Sequence, residues 1–134
     1  QMNHSINKKK GTLRGMHFQV DPYSEIKLVR CIKGSVFDVI VDLRKDSDTY
    51  LQWQSFELSP ENNNAILIPK GFAHGFQTLE KNSELIYLHS EYYNKEYERG
   101  LNFDDKSLNI KWPLKKIIIS DKDYSHPKYN KNEL

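Results

Sequence analysis

The sequence predicts an all-β fold, either a sandwich or a jelly-roll barrel, and three observations support this prediction. Short runs rich in β-branched and aromatic residues recur along the chain, and turn signals separate them. Long helical periodicity, internal repeats and low-complexity linkers are all missing. The chain has 134 residues, the size of one ordinary domain, so we expect a single domain over residues 1–134.

The first strand is predicted within residues 11–19, after a polar, basic lead-in of ten residues that we expect to be extended or loose. Two glycines bracket this stretch and indicate a turn that leads into the strand. Side chains alternate along a strand, so His17 and Gln19 share one face while Met16 and Phe18 share the other. A polar face beside an apolar one is typical of a strand that lines a polar pocket.

The strand pattern is clearest at 25–32 and 35–43, where Lys33 and Gly34 predict a tight hairpin. In the second run, alternation places Phe37, Val39 and Val41 on one face of the strand. The opposite face carries Val36, Asp38, Ile40 and Asp42. Further strands are predicted at 50–58, 65–68, 72–79 and 83–92. A helical turn at 94–99 and a short strand within 112–120 follow, and the polar tail after Tyr124 is expected to lie on the surface. At least six strands at this spacing predict the sandwich or barrel.

Composition excludes several classes of protein. The net charge is +2, from 20 basic and 18 acidic residues, so no surface suited to coating a polyanion such as nucleic acid is indicated. No apolar run approaches the roughly 20 residues of a membrane span, and no signal peptide is visible. The single cysteine, Cys31, excludes an internal disulfide and fits a reducing compartment such as the cytoplasm.

Five polar features are candidates for chemistry in a pocket at the mouth of such a barrel. They are His17, Lys27, His74, Tyr87 with His89 on the same strand face, and the polar cluster 120–123. A carboxylate beside an imidazole fixes its tautomer and makes it a better base, and a phenol can exchange a proton from the other side of a substrate. An ammonium group stabilises the oxyanion that forms as a C–H proton leaves. This set suits proton abstraction next to a carbonyl, the chemistry of racemases and epimerases.

Plainer interpretations stay open at this point. A lone histidine in a strand is usually structural, a tyrosine there usually packs, and Lys27 among apolar neighbours is also compatible with an edge position and a solvated ammonium. Metal binding is a further alternative, with His17, Gln19, Glu25 and His74 near the places where cupin barrels hold a metal. The amide of Gln19 stands where a second imidazole would be expected, and amides are poor ligands for transition metals.

The same residues resemble a known family, the dTDP-4-dehydrorhamnose 3,5-epimerases. The segments that carry the resemblance are residues 11–19, 27–30, 34–44, 68–76, 98–100, 110–113 and 120–123, in the family's order and over nearly the whole chain. The resemblance implies a cupin-type jelly roll (a double-stranded β-helix) with short helical turns near the C-terminus. It also implies a homodimer that works without a metal or other cofactor.

The implied reaction converts dTDP-4-dehydro-6-deoxy-D-glucose to the L-lyxo ketosugar, dTDP-4-dehydro-L-rhamnose. This step leads to dTDP-L-rhamnose, a deoxysugar of cell-surface polysaccharides. Position by position, the resemblance makes His17 the base at C3 and C5, Asp123 its partner, Tyr87 the acid and Lys27 the stabiliser of the enolate oxygen. The implied substrate-binding residues are Arg14, Gln19, Arg30 and His74.

Two departures from the family pattern affect these expectations. The family has a leading segment of a few dozen residues, with a strand that crosses to the partner subunit, and the sequence given begins after it. The Tyr-x-Pro usual after the acid strand is Tyr93-Asn94-Lys95 here. A non-catalytic sugar-nucleotide-binding cupin and a metal-dependent cupin enzyme are therefore the alternative functions, and related enzymes invert only one carbon.

Overall fold

Two antiparallel β-sheets form the computed structural model, which describes residues 1–130. In chain order the elements are β1 Met2–Asn7, β2 Leu13–Gln19, β3 Lys27–Lys33, β4 Val36–Asp42, β5 Trp53–Leu58, β6 Ala65–Ile68, β7 Phe72–Thr78, β8 Ser83–His89, β9 Glu98–Gly100 and a helical turn, α1 Asp121–Tyr124. One sheet has the strand order β1-β8-β3-β6 and the other β5-β4-β7-β2-β9. The predicted all-β jelly-roll fold is confirmed. The last four residues of the predicted domain, 131–134, lie outside the described part.

Two apolar clusters hold the described residues together, one on each side of the five-stranded sheet. The cluster between the sheets takes side chains from both, including Val29, Val36, Phe76 and Leu85. The other cluster covers the outer face of the five-stranded sheet and is formed by Met16, Phe18, Val39, Val41, Ala73, Leu101 and Leu108. Since each fully buried aliphatic side chain stabilises the fold by about 1.5–3 kcal/mol, both clusters are substantial.

Strand β4, which lies between β5 and β7, contributes to both clusters, as its alternating pattern predicts. Phe37, Val39 and Val41 belong to the outer cluster, whereas Val36 and Ile40 belong to the inner one. A strand with apolar residues on both faces is buried on both sides. On the inner face of β4, Asp38 lies between the apolar residues Val36 and Ile40, and its carboxyl is fully buried.

A change of register in β2 places two polar side chains on the same wall. Arg14 pairs with Phe76 of β7 and His17 pairs with His74, and the register shifts between these two pairs. In a regular strand, residues three apart point to opposite faces, but this irregularity brings both toward the space between the sheets. Met16 lies in the outer cluster, so the predicted division of β2 into a polar and an apolar face is confirmed.

The predicted hairpin between 25–32 and 35–43 is wrong. β3 pairs with β6 and β8, whereas β4 pairs with β5 and β7. Lys33 and Gly34 therefore carry the chain from one sheet to the other. Gly34 has a φ of +73°, so the turn signal was real, but a local turn signal does not say which strand each arm pairs with.

Three other elements differ from the prediction because pairing partners, and not local pattern, define them. The lead-in of residues 1–10 contains β1, an edge strand that pairs with β8. The predicted helical turn at 94–99 is only a turn at its start, and its end belongs to β9, which pairs with β2. Within 112–120 the structure has a single parallel bridge, from Ile118 to Thr12. Among the described residues, no helix has the length and hydrophobicity to cross a membrane.

Candidate active site

A cavity of about 590 Å³ opens between the two sheets at the polar end of the inner space. Its walls are Met2, Asn3, His4, Ser5 and Ile6 of β1, Arg14 and His17 of β2, Lys27 of β3, His74, Gly75 and Phe76 of β7, and Tyr87 and His89 of β8. Five of the eight predicted site residues line it: Arg14, His17, Lys27, His74 and Tyr87. The volume lies within the range of small-molecule pockets.

His17 is bound to a carboxylate that arrives from far along the chain. Its Nε2–H donates to Oδ1 of Asp123 over 2.6 Å, and the other carboxylate oxygen accepts the backbone N–H of Gly15 over 3.1 Å. The turn α1 presents Asp123 because Ser120 caps its N-terminus, where the Ser120 hydroxyl accepts the N–H of Asp123. The side chain of His17 is 35% exposed, and His17 lines the cavity.

The surroundings keep Asp123 ionised. Burial alone would raise the pKa of Asp123, but the hydrogen bond and charge of His17, with smaller contributions from Gly15 and His126, outweigh it and lower the pKa below its ordinary value. An ionised carboxylate accepts a proton-bearing Nε2 and stabilises positive charge on the ring. His17 is therefore oriented and prepared to take up a proton at Nδ1.

Tyr87 faces the same cavity from the opposite sheet. It lies on β8, packs edge-on against His74 with ring centroids 6.0 Å apart, and stacks on His89 at the same distance. Burial raises the pKa of Tyr87, and the charge of Asp38 raises it further. The phenol thus keeps its proton at neutral pH and is able to donate it into the cavity.

Lys27 forms a buried charge cluster with two further residues. Its Nζ lies 3.5 Å from Oε1 of Glu25, and Nδ1 of His89 lies 3.2 Å from Oε2 of the same carboxylate. Burial lowers the pKa of Lys27, while the charge of Glu25 opposes this effect. The pairing keeps a desolvated ammonium group at the cavity wall, where it is suited to stabilise a developing oxyanion.

His74 and Arg14 complete the polar wall with fixed partners of their own. Nε2 of His74 donates to Asp38, whose two carboxylate oxygens lie at 2.9 and 2.8 Å, in a pair that is almost fully buried. Burial raises the pKa of Asp38, and the contact with His74 opposes this. The Nε of Arg14 donates to Oδ1 of Asn7 over 2.7 Å, which fixes its guanidinium at the mouth.

The other two predicted binding residues lie elsewhere. Arg30 is exposed on the outer face of the four-stranded sheet and donates to Asn63, so the structure does not bring it to the cavity. Gln19 lines a smaller adjoining pocket of about 130 Å³. Its amide is engaged with the backbone of Tyr23, Tyr92 and Asn94, and so it ties two loops together.

Sequence reasoning assigned no role in the site to Asp38 or His126, and it named His89 only as a neighbour of Tyr87. A signal existed for Asp38, since a lone carboxylate within the apolar run 36–41 is rarely buried without a partner. His89 was predicted to share a strand face with Tyr87, and in the structure both residues line the cavity from β8. His126 gave no local signal, because it follows α1 in a segment of irregular structure.

The residues considered as metal ligands do not come together. Within residues 1–130, the structure has one group of three or more nearby imidazole or carboxylate donors, and its members are His17, Asp123 and His126. A zinc ion with bonds of about 2.0–2.1 Å holds its ligand atoms about 3.3 Å apart. The 2.6 Å between His17 and Asp123 is instead a hydrogen-bond distance, so this donor set is a hydrogen-bonded cluster.

Comparison with known proteins places the chain among enzymes. Residues 1–131 match the family described as dTDP-4-dehydrorhamnose 3,5-epimerase. The enzyme of that name from Shigella flexneri is 48% identical over 129 residues, which cover 96% of this chain and 71% of that protein.

Two solved structures of such epimerases are also similar. The Bacillus anthracis protein, with TDP and PPi bound, has a TM-score of 0.94 at 45% identity over 96% of this chain and 74% of that one. The Legionella pneumophila protein, in complex with dTDP-4-keto-L-rhamnose, has a TM-score of 0.90 at 41% identity over 96% of this chain and 68% of that one. The chain thus spans about two thirds to three quarters of these relatives, and it belongs to the dTDP-4-dehydrorhamnose 3,5-epimerase family.

Proposed function

We propose that the chain epimerises a nucleotide-linked 4-keto-6-deoxysugar, converting dTDP-4-dehydro-6-deoxy-D-glucose to dTDP-4-dehydro-L-rhamnose on the way to dTDP-L-rhamnose. The observation that carries the proposal is the placement of His17, backed by Asp123, and Tyr87 on opposite walls of one cavity. Family membership supports the substrate, because the Legionella pneumophila relative is in complex with dTDP-4-keto-L-rhamnose.

The first step is removal of a proton from a carbon next to the C4 carbonyl. Nδ1 of His17 takes the proton, and the electrons of the broken C–H bond form the enolate, with negative charge on O4. Asp123 stabilises the resulting imidazolium through the hydrogen bond to Nε2. Lys27 faces the same cavity and stabilises the enolate oxygen. A positioned base of this kind contributes about 10²–10⁴-fold to the rate.

The second step returns a proton to the same carbon from the opposite face. Tyr87 donates it, the enolate collapses to the ketone, and the configuration is inverted. The enzyme then carries one extra proton on His17 and lacks one on Tyr87, so exchange with water restores both groups before the next inversion. Because burial raises the pKa of Tyr87, the phenolate recovers its proton readily. Arg14 and His74 bind the sugar and phosphate groups.

Proton NMR in D₂O with dTDP-4-dehydro-6-deoxy-D-glucose tests this proposal. The wild-type protein is expected to exchange the C3 and C5 hydrogens for deuterium and to form the L-lyxo product. His17→Asn should lose exchange by about 10²–10⁴-fold. Tyr87→Phe should keep exchange but form less product, and the exposed Tyr92 supplies the control Tyr92→Phe.

A further pair of variants tests the oxyanion role. Lys27→Met should slow exchange, whereas Lys33→Met, on the same strand but exposed, should not. Binding of the dTDP-sugar by a folded wild-type protein without any hydrogen exchange would overturn the proposal in favour of a non-catalytic binding protein. Loss of exchange at C5 alone would restrict the reaction to C3.

We also propose that the protein is a homodimer that pairs through the outer face of the four-stranded sheet. The register aligns Leu67, Leu28, Leu88 and Met2 in one row across all four strands. Between 38 and 67% of each of these side chains is exposed, and such a continuous apolar row is typical of an interface. Light scattering should give twice the chain mass for the wild type and a monomer for Leu88→Glu.

We place this activity in the cytoplasm. The support is the single thiol, Cys31, which is free and buried in the structure. A protein with one cysteine and no disulfide suits a reducing compartment.

A further inference from the structure

A second histidine shares the carboxylate that serves His17. The Nε2–H of His126 donates to Oδ1 of Asp123 over 3.0 Å, the same oxygen that accepts Nε2–H of His17 over 2.6 Å. The two rings meet edge-on, with centroids 5.5 Å apart. The side chain of His126 is 11% exposed and does not line the cavity, so its effect on a bound substrate is indirect.

The fold makes room for this ring at one residue of the neighbouring strand. Gly100 of β9 pairs directly with His17, and a Cβ atom added at Gly100 would lie 2.2 Å from Cε1 and Nδ1 of His126. The φ of Gly100 is not in the left-handed region, so its backbone would accept alanine. The three atoms nearest to such a Cβ all belong to the ring of His126, so this ring leaves no room for a side chain at Gly100. Asn102 adds a further tie, because its Nδ2 donates to the backbone oxygen of His126.

We propose that His126 is a positioning residue for the reaction: by sharing Oδ1 of Asp123 it fixes the carboxylate and limits how tightly that carboxylate holds the proton on His17. The proposal rests on the proposed function, in which His17 must gain and release a proton in every inversion. A carboxylate devoted to His17 alone would favour the imidazolium more strongly, and proton release would slow.

The charges around the cluster define the direction of the effect. Burial lowers the pKa of His126, and the nearby charge of His17 lowers it further, so the ring is a neutral donor at pH 7. The charged groups that act on it are Asp123 and Lys122 of α1 and His17 of β2. Lys122 is in turn paired with Glu98 of β9 at 2.9 Å, and Glu98 accepts the hydroxyl of Tyr93. Removing His126 frees Oδ1 for His17, so the carboxylate holds the proton on His17 more tightly.

The first test compares two replacements of His126. His126→Leu removes the donor, so kcat for hydrogen exchange should fall about three- to tenfold, the size of one hydrogen bond, with KM unchanged. The acid limb of the pH profile of kcat/KM should move to higher pH by about one unit. His126→Gln keeps an N–H donor near the Nε2 position and should restore most of the rate. Lys128→Gln, an exposed change in the same segment, is the control.

A second variant displaces the ring without removing it. Gly100→Ala should push His126 off Asp123 and reproduce the upward shift of the acid limb. A lower rate with an unmoved acid limb in His126→Leu, or no recovery in His126→Gln, would assign His126 a merely structural role and overturn the proposal.

An NMR titration of the His17 ring protons separates this proposal from the proposed function, because it needs no substrate. In His126→Leu the midpoint should move to higher pH than in the wild type. If the wild-type protein exchanges no substrate hydrogens but the midpoint still moves, the epimerase proposal fails while the coupling of the two rings stands. An unmoved midpoint overturns the coupling whatever the activity.

Discussion

Two histidine–aspartate pairs lie beside the same cavity, with both histidines on the five-stranded sheet, yet the pairs differ in exposure and in the element that holds the aspartate. His17 and His74 are direct cross-strand partners, and both rings line the cavity. The His74–Asp38 pair is 5% and 0% exposed, whereas His17 is 35% exposed and Asp123 is 7% exposed. A buried pair resists changes of charge, while a half-exposed imidazole is free to gain and lose a proton.

The two pairs are also held by different kinds of structure. Asp38 lies on β4, diagonal to His74 on the adjacent strand β7, so regular sheet geometry positions both partners. Asp123 comes from a four-residue helical turn 106 positions after His17. We expect the buried pair to stabilise the cavity wall and the half-exposed pair to perform the proposed chemistry, and the following predictions test this division.

The largest expected effect is on catalysis at the half-exposed pair. Asp123→Asn removes the charge that orients His17 and stabilises its imidazolium, so exchange of the C3 hydrogen should slow by about 10²–10⁴-fold. Asp38→Asn, the matched change in the buried pair, should affect exchange much less. NMR exchange rates measured at one pH compare the two variants. Equal losses of exchange rate in two folded variants would contradict the assignment of chemistry to one pair and of stability to the other.

The next largest effect is on stability, and it falls on the other pair. Asp38→Ala leaves His74 buried without its partner, so the free energy of unfolding should fall by about 3–5 kcal/mol. Asp123→Ala should cost less, about 1–3 kcal/mol, because water reaches His17 and replaces its lost acceptor, although the N–H groups of Gly15 and His126 also lose theirs. Urea unfolding of both variants measures the difference, and a greater loss in Asp123→Ala would contradict the comparison.

The two carboxylates should also give stability opposite responses to acid. The pKa of Asp123 is lowered in the folded state, so its contribution is complete above the unfolded value of about 3.9 and is lost as the pH falls below that value. The pKa of Asp38 is raised, so its ionisation opposes folding and acid relieves this cost. On acidification, the wild type should lose stability relative to Asp123→Asn. Over the same pH range, it should gain stability relative to Asp38→Asn. The pH dependence of urea midpoints distinguishes the two signs.

The smallest effect concerns the turn that carries Asp123. Ser120→Ala removes the N-cap of α1 and should lower the free energy of unfolding by about 1 kcal/mol. Exchange should slow by a few fold, because Asp123 is held less firmly. The buried pair has no such dependence, since strands hold it. Ser120→Asp, which keeps a capping oxygen, should behave as the wild type in both measurements.

Much of the fold was predictable because alternation is a local property. The two faces of β4 and the polar and apolar faces of β2 follow from period two alone. Strand partners are not local, and so the hairpin at Lys33 and Gly34 was a wrong prediction although the turn itself exists.

The site residues, too, were predictable where they depend on alternation along one strand, and not where they depend on distant parts of the chain. Alternation on β3 also separates Lys27, which points inward, from Arg30, three residues later, which points outward. The residues alone indicated the polar cluster 120–123 as a candidate, but only the family resemblance singled out Asp123 as the partner of His17. Asp38 and His126 required the three-dimensional register and the path of the segment after α1.

The position of Asp123 in the chain has a consequence for how the protein is made. The ribosome completes all nine strands of the described chain before it adds this residue. During synthesis the barrel can therefore close around its cavity while His17 still lacks a carboxylate. On the proposed mechanism, activity begins only after α1 has been added, and a chain that ends between β9 and α1 would have the cavity but lack the carboxylate that pairs with His17.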